Sequence, residues 1–266
     1  MEEETIKQKQ IQAAVRCDVG QLRKINQDTV FCSLEPVGVL PNLFIVADGM
    51  GGHKAGDTAS AEAVRCFVEY IETHSTQVDD IVTLLHLALE EANRYVFYLA
   101  QQSEEYQGMG TTFVAVTICG SSLYCINVGD SRLYQINRAG QRPMSMKRVT
   151  RDHSLVEILL EQGMITEEEA RVHPQKNMIT RAVGIEETVE IDDYHLNIED
   201  LVRVLLCSDG LTNMVSDLEI MSILSDKSSV EETATRLVQT ANENGGKDNI
   251  SVIVIDFTGE VSDQNA

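Results

Sequence analysis

Five aspartates of the sequence stand at the ends of apolar, strand-like segments, and four of them have a glycine within two residues. They are Asp28, Asp48, Asp130, Asp209 and Asp248. Taken singly, each one is typical of an ordinary turn, because aspartate and glycine both suit turn conformations. Taken together they indicate an acidic cluster, since carboxylates at strand ends can open onto one edge of a sheet.

An acidic cluster of this kind favours the binding of divalent metal ions. If it were buried without partners, its charges would repel one another at a cost on the order of several kcal/mol each. Hard cations such as Mg²⁺ or Mn²⁺ prefer carboxylate, carbonyl and water oxygens, and Gly49 would let a backbone carbonyl approach a metal beside Asp48. A zinc site is not indicated, because the six histidines and six cysteines lack ligand spacing.

One basic residue stands close to this group in the sequence. Arg23 lies five positions before Asp28. A guanidinium near a metal cluster would hold a phosphate or a carboxylate by a bidentate fork. Taken alone, however, Arg23 is more simply interpreted as a surface residue.

The elements that must position these residues alternate between strands and helices. Strands are predicted at residues 29–34, 43–47, 111–119, 122–128, 132–136, 188–196, 202–207 and 250–257. Helices are predicted around residues 59–70, 82–96 and 230–241. Short turns join the three strands between residues 111 and 136, which predicts an antiparallel meander. Hairpin-connected strands with helices grouped in blocks favour an α+β fold of two sheets with helices packed outside.

The composition is that of a soluble globular protein, with 43% apolar and 24% charged residues. Forty-two acidic residues against 21 basic ones leave a net charge of −21, which argues against binding to nucleic acid or to an anionic membrane. The polar first ten residues do not resemble a signal peptide, and the apolar runs are too short to span a bilayer. We therefore expect a cytoplasmic monomer whose six cysteines are reduced and mostly buried.

Eight short motifs follow one another in an order that is more informative than any of them alone. They are RxxNQD at 23–28, DGMGGH at 48–53, GTT at 110–112, NVGDSR at 127–132, TRDHS at 150–154, TRAVG at 180–184, SDGL at 208–211 and GKDNI at 246–250. In these motifs the chain resembles the metal-dependent protein phosphatases of type 2C, and the resemblance extends from about Val15 to Val254.

The resemblance implies a four-layer αββα sandwich, in which two central antiparallel β-sheets are flanked by helices and a flap lies beside the active site. We predict a catalytic domain at residues 9–257, with its flap at about 154–180. The termini at residues 1–8 and 258–266 are predicted to be disordered. Within the flap, helical spacing predicts one helix at 155–162, ended by Gly163, and a second at 167–170 that stops before Pro174.

The resemblance also implies which residues bind metal. Asp48 would bridge two divalent metals, Mn²⁺ or Mg²⁺, and Gly49 would contribute its carbonyl. Asp209 and Asp248 would hold the second metal. Asp28 would support the site, largely through water.

Three further positions are assigned by the same resemblance. A third, weaker metal would use Asp130 together with Asp209, and Arg23 matches the phosphate-binding arginine of the family. Met50 stands where eukaryotic members usually have the histidine proposed as the general acid, and His53 matches the DGMGGH form of bacterial members. The general acid is therefore left unassigned.

The implied reaction is hydrolysis of phosphoserine and phosphothreonine in proteins. A hydroxide that bridges the two metals would attack phosphorus directly, with Asp48 and Asp209 as the catalytic ligands. The implied partners are phosphorylated proteins and a bacterial Ser/Thr kinase that the enzyme would oppose.

Other functions are less well supported by the residues. A non-catalytic relative that binds phosphoproteins is the main alternative, but such a protein should have lost metal ligands. A phosphatase for small phosphomonoesters or for an anti-sigma-factor antagonist also stays open. A calcium-binding β-domain is disfavoured, because the sequence has no DxDxDG loop.

Overall fold

The computed structural model describes residues 10–51, 55–78, 80–138 and 144–258, so His53 and the predicted disordered termini, apart from Thr258, lie outside the described residues. The strands are β1 (Gln10–Asp18), β2 (Asp28–Ser33), β3 (Leu43–Met50), β4 (Gly110–Thr111), β5 (Phe113–Cys119), β6 (Ser122–Val128), β7 (Arg132–Asn137), β8 (Ser145–Arg148), β9 (Asp192–Asn197), β10 (Leu201–Cys207) and β11 (Ile250–Thr258). The helices are α1 (Ala55–His74), α2 (Ile81–Gln101), α3 (Leu155–Glu161), α4 (Glu167–Val172), α5 (Asp209–Thr212), α6 (Asp217–Leu224) and α7 (Val230–Glu243).

The strands form two antiparallel sheets. The first sheet has the order β1-β11-β10-β7-β8, and the second has the order β2-β3-β5-β6-β9 with β4 beside β3. Strands β2 and β3 are neighbours in the chain, and the whole of β2 pairs with residues 43–48 of β3. The outer strand β1 instead pairs with β11, the last described strand, so the two ends of the described chain meet in one sheet.

Alternating side chains along the strands build three apolar layers. In β3, Leu43 and Ile45 pack with helices α1 and α2, whereas Phe44 and Val46 pack between the sheets. Helices α6 and α7 cover the outer face of the first sheet. Because both faces of β3 are buried, its sequence reads as one continuous apolar run. The predicted four-layer αββα sandwich is confirmed.

Local sequence determines where the outer helices begin. Ser216 and Glu219 form a capping box at the start of α6, and Ser229 and Glu232 form one at the start of α7. Each box satisfies backbone N–H groups that the first turn of a helix leaves without partners.

The predicted meander is wrong at its third strand. Strands β5 and β6 form the expected hairpin, but β7 pairs with β10 and β8 in the other sheet. The chain therefore crosses between the sheets after β6, at Gly129, whose φ is +104°. A Cβ at Gly129 would also collide with Thr112. Gly129 and Asp130 predict a hairpin turn because a turn and a crossing between sheets have the same local sequence signal.

Other differences lie mainly at sheet edges. The strand predicted at 188–196 begins only at Asp192. Strand β1 was not predicted, because Ala14 is its one buried residue and the apolar alternation is weak. Edge strand β8 has no buried residue, and the short helices α5 and α6 were also missed.

The flap contains the two predicted helices, α3 and α4, and Gly163 after α3 has a φ of +67°. All six cysteines are free, but only Cys125 and Cys207 are buried and Cys17 is exposed, so the prediction of mostly buried thiols is wrong. None of the helices in the described ranges is long and apolar enough to cross a membrane.

Candidate metal and phosphate site

The structure brings the five predicted aspartates together at one end of the sandwich. Asp28 at the start of β2 pairs directly with Asp48 of β3 in the second sheet. Asp209 begins α5 with one residue between it and the end of β10, and Asp248 precedes β11, so these two extend from the first sheet. Asp130 lies at the crossing from β6 to β7. Both sheets and their connection therefore contribute to one site.

The carboxylates are buried close enough to disfavour one another's charge. Burial raises the pKa of Asp28 to about 7, and the charges of Asp209 and Asp248 act in the same direction. Burial, followed by the charges of Asp28, Asp209, Asp130 and Asp248, raises the pKa of Asp48 well above its ordinary value. The pKa of Asp48 is therefore raised by the charges of all four other aspartates of the cluster.

The pKa values of the other two buried members shift in the same direction. Burial raises the pKa of Asp130 well above its ordinary value, and the charges of Asp209 and Asp152 add to this effect. Burial and then the charge of Asp248 raise the pKa of Asp209. Without a cation, burial and mutual repulsion therefore disfavour the charged form of these carboxyls.

Hydrogen bonds orient two of these carboxylates and leave one oxygen of each without a partner. Ser208 Oγ donates to Asp28 Oδ2 at 2.8 Å, and Asn213 Nδ2 donates to Asp209 Oδ2 at 2.8 Å. The buried Oδ1 atoms of Asp28 and Asp209 have no hydrogen-bond partner within the described part of the chain. A buried carboxylate oxygen with no partner fits a cation as its missing contact.

The backbone around Asp48 is held tightly. Its N–H donates to Thr112 Oγ1 at 3.0 Å, and its carbonyl accepts from the Thr112 N–H at 2.9 Å. The following N–H, that of Gly49, donates to the Gln27 carbonyl at 3.1 Å. A Cβ at Gly49 would collide with the carbonyl of Gly56 in α1, so this position requires glycine.

Arg23 lies beside the aspartates rather than on an unrelated surface. Its Nη2 donates to Asp248 Oδ2 at 2.7 Å, across 225 positions of sequence. The two side chains are 51% and 29% exposed, so the guanidinium can reach a ligand that enters from solvent. Arg23 is the one basic predicted site residue, and the structure joins it to the acidic group.

The oxygen ligands of the cluster suit a hard cation, although the side chains alone do not complete its coordination. Within residues 10–51, 55–78, 80–138 and 144–258, no three His, Cys, Asp or Glu side chains converge as a complete metal-binding group. The available ligands are all oxygens, the cluster repels itself, and Asp28 and Asp209 each offer an unpartnered oxygen. Divalent cations that keep several water ligands, such as Mg²⁺ and Mn²⁺, fit this arrangement.

A groove leads from the acidic cluster along the flap. The cavity has a volume of about 900 Å³, and its lining includes Asp130 and Asp209. Residues of helices α3 and α4 and of the segment from α5 to α6 also line it. Lys176 of the flap reaches across to Asn213, with Nζ donating to Oδ1 at 3.0 Å.

The residues that orient the cluster have no distinct signal in the sequence. Thr112, Ser208 and Asn249 lie within the motifs but are not aspartates, whereas Asn213 and Lys176 lie outside the motifs. For Asn213 the available signal was its position one helical turn after Asp209 in the sequence.

A two-sheet sandwich with buried carboxylates at one end suits a metal-dependent hydrolase, and comparison with known proteins shows that the class is that of the metal-dependent phosphatases. The family model described as protein phosphatase 2C matches residues 23–253. The serine/threonine phosphatase stp of Listeria welshimeri is 39% identical over 251 residues, which cover 92% of this chain and 95% of that protein.

Solved structures show the same architecture. Serine/threonine phosphatase Stp1 from Staphylococcus aureus matches with a TM-score of 0.86 at 32% identity, over 97% of this chain and all of that one. The catalytic domain of the phosphatase PstP, solved with two manganese ions, matches with a TM-score of 0.76 at 33% identity, over 92% and 97% of the two chains. The chain belongs to the protein phosphatase 2C family, and the resemblance found in the sequence is confirmed.

Proposed function

We propose that this chain hydrolyses phosphoserine and phosphothreonine in proteins, using Mn²⁺ or Mg²⁺ held by the acidic cluster. Membership of the protein phosphatase 2C family makes it a serine/threonine protein phosphatase. The observation that carries the site assignment is the buried, self-repelling carboxylate group with unpartnered oxygens on Asp28 and Asp209, beside Arg23.

The residues divide between metal binding and phosphate binding. Asp48 would be the ligand that two cations share, since the other charges of the cluster converge on it. The Gly49 carbonyl, Asp209 and Asp248 would complete the pair of sites, with Asp28 in support. Asp130 and Asp209 would hold a third, weaker cation.

When bound, the cations supply Lewis acidity that lowers the pKa of water and neutralises the phosphate oxygens. The chain's own residues orient the carboxylates and bind the substrate. Asn213 fixes the carboxylate of Asp209, and Ser208 fixes that of Asp28. Arg23 binds phosphate oxygens from the solvent side, and the groove along the flap receives the polypeptide around the phosphoresidue.

The experiment that tests this function uses purified protein stripped of metal. We expect no hydrolysis of a phosphothreonine peptide in chelator and full activity after addition of Mn²⁺. Asp209→Asn is the matched variant, because it keeps the shape of the side chain and removes one negative charge. It should fold normally, lose turnover, and gain less thermal stability from Mn²⁺ than the unaltered protein.

Three outcomes would contradict the proposal. Activity that survives chelation would refute metal dependence. Binding of the phosphopeptide without turnover would favour the non-catalytic relative. Faster turnover of free sugar or nucleotide phosphates than of phosphopeptides would replace the protein substrate with a small one.

The cellular role is part of the same proposal. We infer a cytoplasmic monomer that opposes a Ser/Thr protein kinase, supported by the match to bacterial Ser/Thr phosphatases over nearly the whole chain. Size-exclusion chromatography with light scattering tests the monomer. Phosphothreonine levels in cells with and without the gene, compared with and without each kinase gene, test the opposition.

A further inference from the structure

The loop that carries Arg23 is held by the buried side chain of Asn249. Asn249 Nδ2 donates to the carbonyls of Val19 and Ile25, both at 3.0 Å, and its Oδ1 accepts from the N–H of Gln27 at 2.8 Å. The residue is only 4% exposed. One carboxamide therefore binds the beginning and the end of the same loop, on both sides of Arg23.

The same loop touches the neighbouring backbone at a second place. The N–H groups of Gln21 and Leu22 donate to the Gly246 carbonyl at 2.7 Å and 3.3 Å. Gly20 has a φ of +79°, and a Cβ there would collide with the Asp248 carbonyl. The loop thus packs directly against the short segment 246–249, which ends at Asn249 and contains Asp248.

Arg23 depends on this backbone for its position. Its side chain is 51% exposed, so packing around it is sparse, and its ion pair is with Asp248, the residue next to Asn249. An exposed ion pair by itself contributes little to fixing a flexible side chain. The placement of the guanidinium is therefore determined mainly by where the loop places the Arg23 backbone.

We propose that Asn249 is a positioning residue that holds the Arg23 loop in register with Asp248 and thereby determines the affinity of the site for the phosphate group of the substrate. The inference rests on the proposed role of Arg23 in phosphate binding. Replacing the carboxamide would remove three hydrogen bonds that hold the loop backbone on both sides of Arg23, and the loop would be free to move.

The structure offers a matched control in Asn42. Asn42 is also buried, 5% exposed, and its carboxamide binds two backbone groups where that of Asn249 binds three. Its Nδ2 donates to the Ile118 carbonyl and its Oδ1 accepts from the Ile118 N–H, both at 2.8 Å. It precedes β3, at the opposite end of that strand from Asp48. Asn42→Ala should therefore destabilise the fold comparably without disturbing the Arg23 loop.

The kinetic test compares Asn249→Ala, Arg23→Ala, the double variant and Asn42→Ala on one phosphothreonine peptide at saturating Mn²⁺. We expect Asn249→Ala to raise KM about tenfold with a smaller change in kcat, the same pattern that we expect for Arg23→Ala. In the Arg23→Ala background the second change should add less than about twofold, because both act through the same contact. Asn42→Ala should lower Tm and keep KM within about twofold.

A second measurement reports on the loop without using catalysis. The chain contains no tryptophan, so Leu22→Trp places a single tryptophan, which can be excited selectively over the tyrosines, on the loop, where Leu22 is 68% exposed. Fluorescence anisotropy of this residue should fall when Asn249→Ala is added and stay unchanged when Asn42→Ala is added. If Asn249→Ala does not fold, Gly20→Ala displaces the same loop from its other contact and should raise KM in the same way.

The outcomes separate this proposal from the proposed function. A raised KM in Arg23→Ala together with a normal KM in Asn249→Ala, or fully additive effects of the two, would overturn the positioning role and leave phosphate binding by Arg23 intact. An unchanged anisotropy in Asn249→Ala would also overturn it. A normal KM in Arg23→Ala would refute the phosphate role itself, and the positioning role with it.

Discussion

Asp28 and Asp48 lie directly opposite each other as a cross-strand pair in the antiparallel strands β2 and β3. Two like charges in such a pair destabilise a sheet. The strands keep this register because the apolar residues that precede Asp48 in β3, such as Phe44 and Ile45, are buried on both faces. The core of the second sheet therefore holds two carboxylates together that would otherwise separate, and a cation relieves the repulsion.

The first prediction concerns the stability of the metal-free protein at different pH values. Asp28 has a pKa of about 7 in the folded chain, against an ordinary value of 3.8. The folded state therefore binds this proton more tightly than the unfolded state. The resulting stabilisation is complete below the unfolded value and is lost as pH rises through the folded one.

We accordingly expect the Tm of the protein in chelator to fall between about pH 4 and pH 7, the range between the two pKa values of Asp28. With saturating Mn²⁺ the trend should reverse, since metal ligands must be deprotonated. Asp28→Asn is the control. Because Asn cannot ionise, this variant should be more stable than the unaltered protein in chelator at a pH above the folded pKa of Asp28. Calorimetry at several pH values makes the measurement, and a Tm in chelator that rises over this range would contradict the pKa assignment.

The second prediction concerns Arg23→Ala. Loss of a charge-assisted contact to phosphate should lower kcat/KM by about ten- to a hundredfold, mainly through KM. Stability should hardly change, because the Arg23–Asp248 pair is solvent-exposed and such pairs contribute about 0–1 kcal/mol. Steady-state kinetics and a thermal melt check both parts. Unchanged kinetics would return Arg23 to the role of a surface residue.

The third prediction separates Asp130 from the two main metal sites. Asp130 lies on the crossing between the sheets and not in the β2–β3 pair. Asp130→Ala should therefore keep two bound cations and lower turnover of phosphopeptides about a hundredfold, while a small aryl phosphate, with its better leaving group, loses less. Metal content by mass spectrometry and parallel kinetics on both substrates measure this. Loss of all bound metal would instead place Asp130 in the core of the site.

The fourth prediction concerns the flap. Its base is closed by hydrogen bonds from the Leu155 N–H to the Met178 carbonyl and from the Thr180 N–H to the His153 carbonyl. Shortening the segment 163–173 between these contacts should leave the base intact and change the groove wall. We expect kcat/KM to change among different phosphopeptides, and hydrolysis of an aryl phosphate to stay within about threefold. An equal loss on both kinds of substrate would show that the segment supports the metal site or the fold.

Much of the site could be predicted because its signals are local. An aspartate beside a glycine at the end of an apolar run marks a strand end whatever the rest of the fold does, and the order of the motifs supplied the family. The two flap helices were predicted for the same reason, since helical spacing and Gly163 are read within one short segment.

Tertiary structure decided the relationships between distant segments. Gly129 and Asp130 look like a hairpin turn, yet the chain there passes from one sheet to the other, because β7 finds its partners in β8 and β10. Edge strand β1 has little apolar alternation and is ordered by pairing with β11. The pairing partners of β7 and β1 cannot be read from neighbouring residues, since they depend on how the other strands of the sheet pair and pack.

The acidic residues, their glycines and the family were therefore determined by the sequence alone. Only the tertiary structure showed that Arg23 meets Asp248, 225 positions away, and that Asn249 holds the Arg23 loop. A hydrogen bond between distant segments requires both to be fixed within a few tenths of an ångström. That accuracy comes from the packing of two sheets against each other, which no local pattern specifies.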